Sequence, residues 1–434
     1  MAGHVTGKPA FLLPEDYEGL MACVRCGLCL PHCPTYREIG TEMASPRGRL
    51  ALMKAAADGH IAPEADFAKH MHLCLACRAC ETACPSGVPF GHLMEMTRAR
   101  IAPTRPKSLL GRLGRFVGFR ILLPHPLLLD LALWPARLAQ AIGLRALIRR
   151  LRRETPILRR LCDLEGMLPD LPMNAPGRSL PALVPPIGPM RSRVALFSGC
   201  VTDTLFASVN RDTVEVLRRN GCEVVIPRGQ RCCGALHVHE GRRHEGQRLA
   251  RWNVDAFAGH DVDAIIVNAA GCGSLLKEYG VLLQDDPRIC TRAAAFGAKV
   301  RDVMEFLATL GVTKPSGEVR ERIVYEAPCH LLHAQRIARA PIDVLSLLPS
   351  AEVTEGPDSA WCCGSAGIYN LTNAEVSGKM LDRKMKTLVA LDPDVIATGN
   401  PGCLMQLRLG VARWGMRARV EHPVEILARA YRRR

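Results

Sequence analysis

Two pairs of adjacent cysteines are the most unusual chemical feature of this 434-residue chain. The pairs are Cys232–Cys233 and Cys362–Cys363, and they precede Gly234 and Gly364. A disulfide within a pair is disfavoured, because neighbouring Cα atoms lie about 3.8 Å apart whereas disulfides need roughly 4.4–6.8 Å. Two thiolates from one point of the backbone can instead contact two metal atoms of one cluster, and glycine lets the backbone turn tightly beside it. The pairs therefore indicate cluster ligands.

Eight further cysteines lie near the N-terminus in two runs of four. The runs are "CVRCGLCLPHCP" and "CLACRACETACP", each with the spacing C-x2-C-x2-C-x3-C-P. Bacterial two-cluster ferredoxins have this spacing, and in them the fourth cysteine of each run binds the other cluster. Zinc is the alternative, but zinc sites usually close with four ligands in two pairs. The spacing favours two 4Fe-4S clusters, with the ligand sets Cys23, Cys26, Cys29 and Cys84 for one and Cys33, Cys74, Cys77 and Cys80 for the other.

The chemistry that these cysteines predict is electron transfer. A cluster with four thiolate ligands has no open iron for a substrate, and it gains or loses one electron at a time. The segment "GCGSLL" at 271–276 lacks the third glycine and the acidic residue of a dinucleotide fingerprint. We therefore predict no flavin on this chain and no catalytic residue of its own.

Composition and charge indicate the cellular compartment and the kinds of partner that the protein is expected to have. The chain has 19 cysteines and no visible secretory signal, which favours a reducing cytoplasm and metal binding over disulfides. No apolar run is long enough for a membrane span, since the best candidate, 121–138, is broken by prolines and an aspartate. The net charge is +15, and residues 100–160 account for +12 of it. Nucleic acid is not an expected partner, because no reader motif is recognisable and aromatic residues are few.

The cysteines must be positioned by three kinds of segment. Near the N-terminus, Ser45 is predicted to cap a helix that has Pro46 at its first position. Residues 101–190 form a basic connector that ends in a proline-rich linker. Within it, 144–153 is an amphipathic helix that could lie on anionic lipid, bind an acidic subunit, or present a solvated face. The chain is thus expected either free in the cytoplasm or peripheral on the inner face of the membrane.

The C-terminal half is predicted to be an α/β duplication. Apolar strands alternate with amphipathic helices, and the cysteines recur at offsets of 129, 130 and 131 residues. The single cysteines stand where strands end, and the pairs lie on loops that fold back beside them. One or two further iron-sulfur clusters are expected there, with the ligands Cys200, Cys232, Cys233 and Cys272 in one repeat and Cys329, Cys362, Cys363 and Cys403 in the other.

The predicted fold is a multidomain α+β and α/β protein. A mostly helical two-cluster ferredoxin module comes first, followed by the connector and two tandem α/β cysteine-rich repeats. The predicted boundaries are 1–100 for the module, 101–190 for the connector, 191–315 for the first repeat and 316–434 for the second.

Several phrases together resemble a known family. The C-terminal half contains one pattern twice: a cysteine, about thirty residues, Cys-Cys-Gly and a later cysteine. This pattern resembles the cysteine-rich domain of the heterodisulfide reductase type. With the ferredoxin module in front, the chain resembles glycolate oxidase iron-sulfur subunits through "CPTYREIG", "SPRGRLALM", "CRACETACPSGV", "RCCGALHVHEG", "NAAGCGSLLKEYG", "APCHLLHAQ", "CCGSAGIYNLT", "TGNPGCLMQ" and "HPVEIL".

The resemblance implies an electron-transfer subunit. A flavin-binding dehydrogenase subunit would oxidise glycolate to glyoxylate, and this chain would pass the electrons to a quinone or another acceptor. Lactate or anaerobic glycerol-3-phosphate dehydrogenase subunits share the layout and are the alternative. A disulfide reductase is the alternative of another class, but Ala269 and Asn400 replace the fifth cysteine of each reductase-type repeat.

Three cysteines and four histidines lie outside the predicted ligand sets. Cys162, Cys222 and Cys290 fall outside both patterns and are predicted to be small buried hydrophobic residues. The histidines near the ligand cysteines are favoured as ordinary hydrogen-bonded residues, with cluster contact as the alternative, and they are His237, His239, His330 and His333.

Overall fold

The N-terminal hundred residues form a helical module. The computed structural model describes residues 11–102, 109–144, 156–171 and 180–433. The helices of the module are α1 (Pro14–Met21), α2 (Pro34–Ile39), α3 (Pro46–Ala57), α4 (Ala65–His72), α5 (Ala79–Thr82) and α6 (Phe90–Ile101), with a 3-10 turn at Glu42–Ala44. The Ser45 hydroxyl accepts a hydrogen bond from the Gly48 backbone N–H at 2.9 Å, so the predicted cap of α3 is confirmed.

The connector is helical and packs on both repeats, since Arg413 of the second repeat forms an ion pair with Asp163 at 2.6 Å. Its elements are α7 (Leu109–Phe116), a π-helical turn at Val117–Leu122, α8 (Pro126–Ala132), α9 (Trp134–Ala141) and α10 (Pro156–Met167). Arg115 forms an ion pair with Glu240 at 2.7 Å. The predicted helix at 144–153 lies almost entirely outside the described residues. Among the helices that the structure does describe, none combines the length and the apolar character needed to cross a bilayer.

Two sheets of the same design form the C-terminal half. The strands are β1 (Leu183–Val184), β2 (Ser192–Phe197), β3 (Cys222–Val225), β4 (Ala264–Val267), β5 (Val300–Asp302), β6 (Arg322–Tyr325), β7 (Glu352–Glu355), β8 (Val395–Ala397) and β9 (Arg419–Glu421). The sheet orders are β1-β3-β2-β4-β5 and β7-β6-β8-β9. Apart from β1, which is antiparallel to β3, the paired strands are parallel. The predicted α/β duplication is confirmed.

The registers of the two sheets also correspond. Val194 pairs with Ala264 in the first sheet, and Ile323 pairs with Val395 in the second. These are the offsets of 129 and 131 residues that the cysteines show. The buried strand residues are mostly valine, isoleucine and alanine, as expected where helices cover a parallel sheet.

Helices follow the strands in both repeats. In the first repeat they are α11 (Cys200–Leu205), α12 (Ala207–Arg219), α13 (Ala235–His239), α14 (Arg243–Phe257), α15 (Ala270–Lys277), α16 (Tyr279–Leu282), α17 (Cys290–Lys299) and α18 (Val303–Leu310). In the second they are a π-helical turn at His330–Ala334, α19 (Ala340–Leu345), α20 (Tyr369–Thr372), α21 (Ala374–Leu391), α22 (Pro401–Trp414) and α23 (Pro423–Arg432). One apolar core joins the repeats, because Leu217 of α12 and Leu427 of α23 belong to the same buried cluster.

Candidate iron-sulfur sites

The two repeats face each other across one cavity. Its volume is about 160 Å³. All eight repeat cysteines line it, namely Cys200, Cys232, Cys233, Cys272, Cys329, Cys362, Cys363 and Cys403. Parallel strands place their carboxyl ends at one edge of a sheet, and here the two edges meet. The structure therefore brings together every repeat cysteine that the sequence singled out.

The single cysteines of the repeats lie at helix N-termini. Cys200 is the first residue of α11, while Cys272 and Cys403 lie in the first turns of α15 and α22. Cys329 directly precedes the π-helical turn that begins at His330. Unpaired N–H groups and the helix dipole favour negative charge at these positions, so they stabilise a thiolate or an anionic cluster.

The paired cysteines lie on turns that require glycine. Gly234 has φ of 91° and Gly364 has φ of 89°, which is the left-handed region that glycine adopts readily. A Cβ at Gly364 would lie 2.8 Å from the Ser377 carbonyl oxygen, so a side chain is also excluded by space. In the first repeat the turn directs the Gly234 and Ala235 N–H groups toward the Cys232 and Cys233 sulfurs, each at 3.5 Å.

Thiol contacts group the repeat cysteines by repeat. The Cys233 and Cys272 sulfurs lie 3.2 Å apart, and those of Cys329 and Cys362 lie 4.0 Å apart. In the part of the chain that the structure describes, no three cysteine, histidine or acidic side chains are grouped as ligands of a single metal ion. A four-iron cube is larger than one ion, and its thiolates stand around a volume instead of converging on one point.

The first N-terminal set lies at the surface. Cys23, Cys26, Cys29 and Cys84 line one depression, which Cys80 also borders. Cys26 is exposed, as are Val24 and Leu28 between the cysteines. Arg25 and Gly27 both have positive φ, at 59° and 86°. A turn that contains such residues can direct backbone N–H groups toward a common anion.

The second N-terminal set is buried. It comprises Cys33, Cys74, Cys77 and Cys80, each 8% exposed or less. Burial, followed by the neighbouring Cys77, Cys74 and other acidic groups, raises the pKa of the Cys80 thiol well above its usual value. A buried thiol of this kind ionises when a metal binds it, since the cation then compensates the charge. All four members of the predicted second set are thus buried, while their assignment to one cluster stays a prediction.

The second N-terminal set borders the cavity between the repeats. Cys74 and Leu75 line that cavity, and Cys77 belongs to one buried cluster with Cys362. Burial raises the pKa of the Cys77 thiol, and the next contribution comes from Cys329 of the second repeat. The buried second set of the module and the repeat cysteines are therefore neighbours, which no sequence spacing indicated.

Arg98 joins the module to the repeats at this point. Its guanidinium donates to the carbonyls of Met71 at 2.9 Å, Cys74 at 2.5 Å and His239 at 2.8 Å. The side chain is 5% exposed, and it borders the cavity. Sequence reasoning missed Arg98, because its partners are backbone carbonyls from distant segments.

The four histidines divide into two kinds. His237 contacts the Phe119 carbonyl at 2.8 Å, and His333 contacts Thr82 Oγ1 at 3.0 Å and the Ala360 carbonyl at 2.8 Å. Ordinary hydrogen bonding, as predicted, is therefore confirmed for these two. His239 and His330 instead line the cavity, and their rings are 5.2 Å apart.

Two of the three remaining cysteines behave as predicted. Cys162 and Cys222 are buried, and burial raises the pKa of the Cys222 thiol to about 11. The prediction for Cys290 was wrong, because this residue begins α17 at the surface and is only partly covered.

Three buried polar groups support a cofactor in the cavity. His330 Nε2, Ser365 Oγ and the Tyr369 hydroxyl border it, and none has a hydrogen-bond partner among the described residues. Buried polar groups are normally satisfied, so such groups point to a ligand that completes them. Together with eight thiols, the lining fits an electron-rich, sulfur-containing cofactor. Sequence reasoning did not identify Ser365 or Tyr369.

Comparison with known proteins agrees with this geometry. A 4Fe-4S dicluster domain family matches residues 19–88, and a cysteine-rich domain family matches 194–277 and 323–408. The "Probable glycolate oxidase iron-sulfur subunit" of Bacillus subtilis is 43% identical over 96% of this chain and 95% of its own length. The chain belongs to the glycolate oxidase iron-sulfur subunit family. The resemblance seen in the sequence is confirmed.

Other relatives of this family match in whole or in part. The "Glycolate oxidase iron-sulfur subunit" of Escherichia coli is 33% identical over 95% of this chain. "Lactate utilization protein A" of an Exiguobacterium species is 32% identical over 54% of this chain, which is 96% of that relative. As a family member with a dicluster domain and two cysteine-rich domains, the chain carries multiple iron-sulfur clusters.

Proposed function

We propose that this chain is the electron-transfer subunit of a glycolate-oxidising complex. A partner flavin subunit would oxidise glycolate to glyoxylate, and this chain would pass the electrons singly to a quinone or another acceptor. The observation that carries the proposal is the contact between the buried N-terminal cysteines and the cavity lined by the repeat cysteines. This contact supports a series that runs from the two ferredoxin-type sites to the repeat sites.

The proposed ligands follow the sets predicted from the sequence. Two sets of four thiolates hold the N-terminal 4Fe-4S clusters, and four thiolates of each repeat hold a further centre. When bound, such a centre supplies one-electron transfer without an open iron for substrate. The chain's own residues keep water away from the buried set, and Arg98 holds the Cys74 carbonyl against the repeats.

The position of each set suggests the order of transfer. The set that contains Cys26 is exposed and is the accessible contact point for a redox partner. The set that contains Cys77 lies between it and the repeats. Electrons from a partner that docks near Cys26 would therefore reach the repeat cavity through the buried set.

Activity measurements with and without the partner test the complex. The purified chain, with its clusters intact, should not oxidise glycolate with an artificial acceptor. Addition of the flavin subunit that co-purifies with it from its native host should restore glycolate oxidation. Lactate must be assayed in parallel, because a lactate utilization protein matches half of the chain. Turnover of glycolate by the isolated chain, or of lactate alone by the complex, would overturn the proposal.

Cysteine variants test the ligand sets. Cys232→Ser and Cys362→Ser should each lower the iron content and change the paramagnetic resonance spectrum of the reduced protein, since a hydroxyl is a poorer ligand for iron than a thiolate. Cys222→Ser is the matched control, because Cys222 is buried within β3 outside both ligand sets. Full iron content and unchanged spectra in both repeat variants would show that the pairs are not ligands.

The connector is the proposed contact with the membrane surface. Large apolar side chains of its described helices are exposed, with Leu127 at 69%, Leu131 at 68% and Leu113 at 60%. The surrounding segment 100–160 carries 14 Lys or Arg against two acidic residues. Apolar side chains flanked by positive charge are typical of surfaces that lie in an anionic lipid interface. Such a contact would bring the chain close to a membrane quinone.

A further inference from the structure

The two repeats surround their cysteines with different side chains. Matching the cysteines at offsets of 129 to 131 residues also matches the positions next to them. Where the first repeat has Val201, Ala235 and Ala269, the second has His330, Ser365 and Asn400, and all six residues line the cavity. The second repeat therefore has a polar side chain at three positions where the first has an apolar one.

Asn400 contacts a cysteine sulfur directly. Its Nδ2 donates to the Cys403 sulfur at 3.5 Å, while its Oδ1 accepts from the Gly271 N–H at 3.2 Å. The second contact fixes the orientation of the amide, because only the oxygen can accept from a backbone N–H. Ala269 occupies the matching position and has no polar side-chain atom.

His330 provides a second polar contact. Its Nδ1 lies 3.5 Å from the Cys329 sulfur, and its Nε2 borders the cavity. Val201 holds the matching position beside Cys200. His239, which lines the cavity from the first repeat, is held by Glu95 at 3.3 Å and does not compensate for the missing contacts.

Hydrogen bonds to ligand sulfur change a reduction potential in a known direction. Reduction adds one electron, which makes an iron-thiolate centre more negative. Donors to sulfur stabilise the more negative state and so raise the reduction potential. Backbone N–H groups of Gly234 and Ala235 reach the sulfurs of the first pair, and the Ser365 N–H reaches that of Cys363. Asn400 and His330 add side-chain contacts to sulfur in the second repeat.

We propose that the repeats hold two separate, unlike centres, and that the second repeat holds the more easily reduced one because Asn400 and His330 contact its thiolates. This rests on the ligand sets of the proposed function. Thiol contacts within each repeat support separate centres. Cys362 of the second repeat also lies in one buried cluster with Cys77 of the N-terminal module, so the more easily reduced centre is the one next to the buried ferredoxin-type site.

Reciprocal exchange of the matched residues tests this inference. The full-length protein, with clusters reconstituted anaerobically, is titrated with dithionite while iron content and paramagnetic resonance are followed. Asn400→Ala should lower the midpoint of the more easily reduced centre and leave the other unchanged. Ala269→Asn should raise the midpoint of the other centre, and Ala269→Leu, of similar size without a donor, should not.

A second variant separates tuning from loss of structure. Asn400→Asp retains the acceptor for Gly271 and a good N-cap for α22 but lacks the donor, so it should also lower the midpoint. A single centre in the unaltered repeats, or unchanged midpoints in Asn400→Ala and Asn400→Asp at full iron content, would overturn the inference while leaving the ligand sets intact. Unchanged iron in Cys232→Ser and Cys362→Ser would overturn the ligand sets themselves.

Discussion

At the scale of single residues, the candidate sites depend on backbone conformation as much as on cysteine. Residues with positive φ occur inside the cysteine runs, including Arg25, Ala76 and Arg78, which are not glycine. Such conformations cost roughly 1–2 kcal/mol for an ordinary residue. They persist where they direct N–H groups toward a bound anion, and this is the environment that a cluster with thiolate ligands provides.

Gly364→Ala tests the turn after the second cysteine pair. The variant should lose more than about 2 kcal/mol of stability, because strain from the left-handed backbone adds to a 2.8 Å approach to the Ser377 carbonyl. Gly87→Ala is the control, since Gly87 also has positive φ but has open space around its Cβ position. Thermal unfolding and iron content measure the effect. Equal losses in the two variants would contradict the steric part of the argument.

At the scale of elements, helix N-termini hold the residues that matter at several places in the molecule. The single cysteines at the cavity lie at helix N-termini, and another helix N-terminus joins the two repeats away from the cavity. His422 caps α23, because its Nδ1 accepts from the Val424 N–H at 3.1 Å. Its Nε2 donates to the Asn268 carbonyl of the first repeat at 3.0 Å. One nitrogen accepts and the other donates, so this histidine is neutral in the folded protein.

The neutral His422 predicts a loss of stability in mild acid. Burial lowers its pKa from 6.5 to about 4. The unfolded chain therefore binds a proton between these values that the folded chain does not, and stability falls as the pH decreases from 6.5 toward 4. The loss should reach about 2 kcal/mol by pH 5, at about 1.4 kcal/mol per pH unit.

Urea unfolding between pH 7.5 and pH 5 measures this contribution. His422→Asn keeps a good N-cap residue but removes the ring, so its stability should depend less steeply on pH. His60→Asn, at an exposed position, should retain the dependence of the unaltered chain. The same steep acid dependence in His422→Asn would show that other groups are responsible.

At the scale of the whole molecule, the N-terminal module is fastened to the repeats by charged side chains. Arg98 donates to carbonyls on both sides of the junction, and Arg78 forms ion pairs with Glu81 and with Glu278 of the first repeat. A Cβ at Gly241 would lie 2.3 Å from the Arg98 carbonyl oxygen, so the backbones themselves approach closely here. The distance between the buried ferredoxin-type site and the cavity is therefore defined by this junction.

Arg98→Met should weaken the junction. The variant keeps the aliphatic part of the side chain but loses charged donors to three buried carbonyls, at a cost of about 3 kcal/mol or more. Calorimetry should then show the N-terminal module unfolding before the repeats. Arg100→Met on the exposed side of α6 is the control and should keep the original profile. An unchanged profile in Arg98→Met would mean that Arg98 does not hold the junction.

Binding to lipid vesicles tests whether the connector contacts the membrane surface. The protein should co-sediment with vesicles that contain anionic lipid more strongly than with neutral vesicles. The double variant Leu127→Asp and Leu131→Asp should bind roughly a hundredfold more weakly, because two exposed leucines no longer enter the interface. Leu347→Asp, at another exposed leucine in the second repeat, should bind normally. Equal binding by all variants would exclude the connector as the contact.

The sequence alone determined the duplication and the cap of α3, and it predicted the cysteine sets. The cysteine runs and the cap depend on spacing within a few residues, and the duplication depends on the recurrence of one pattern along the chain. The matching registers of the two sheets have the same offsets as the cysteines. The partial exposure of Cys290 was missed, because burial of one thiol depends on which face of α17 meets the core.

Only the tertiary structure decided how these sets are arranged. It brought all eight repeat cysteines to one cavity, placed Cys77 beside Cys362, and separated His330 at the cavity from His333 in an ordinary hydrogen bond. The position of Asn400 between Cys403 and Gly271 likewise depends on the contact between the N-termini of α15 and α22, since Asn400 and Gly271 are 129 residues apart. Such contacts arise from the packing of one repeat against the other, which leaves no periodic or spacing signal in the chain.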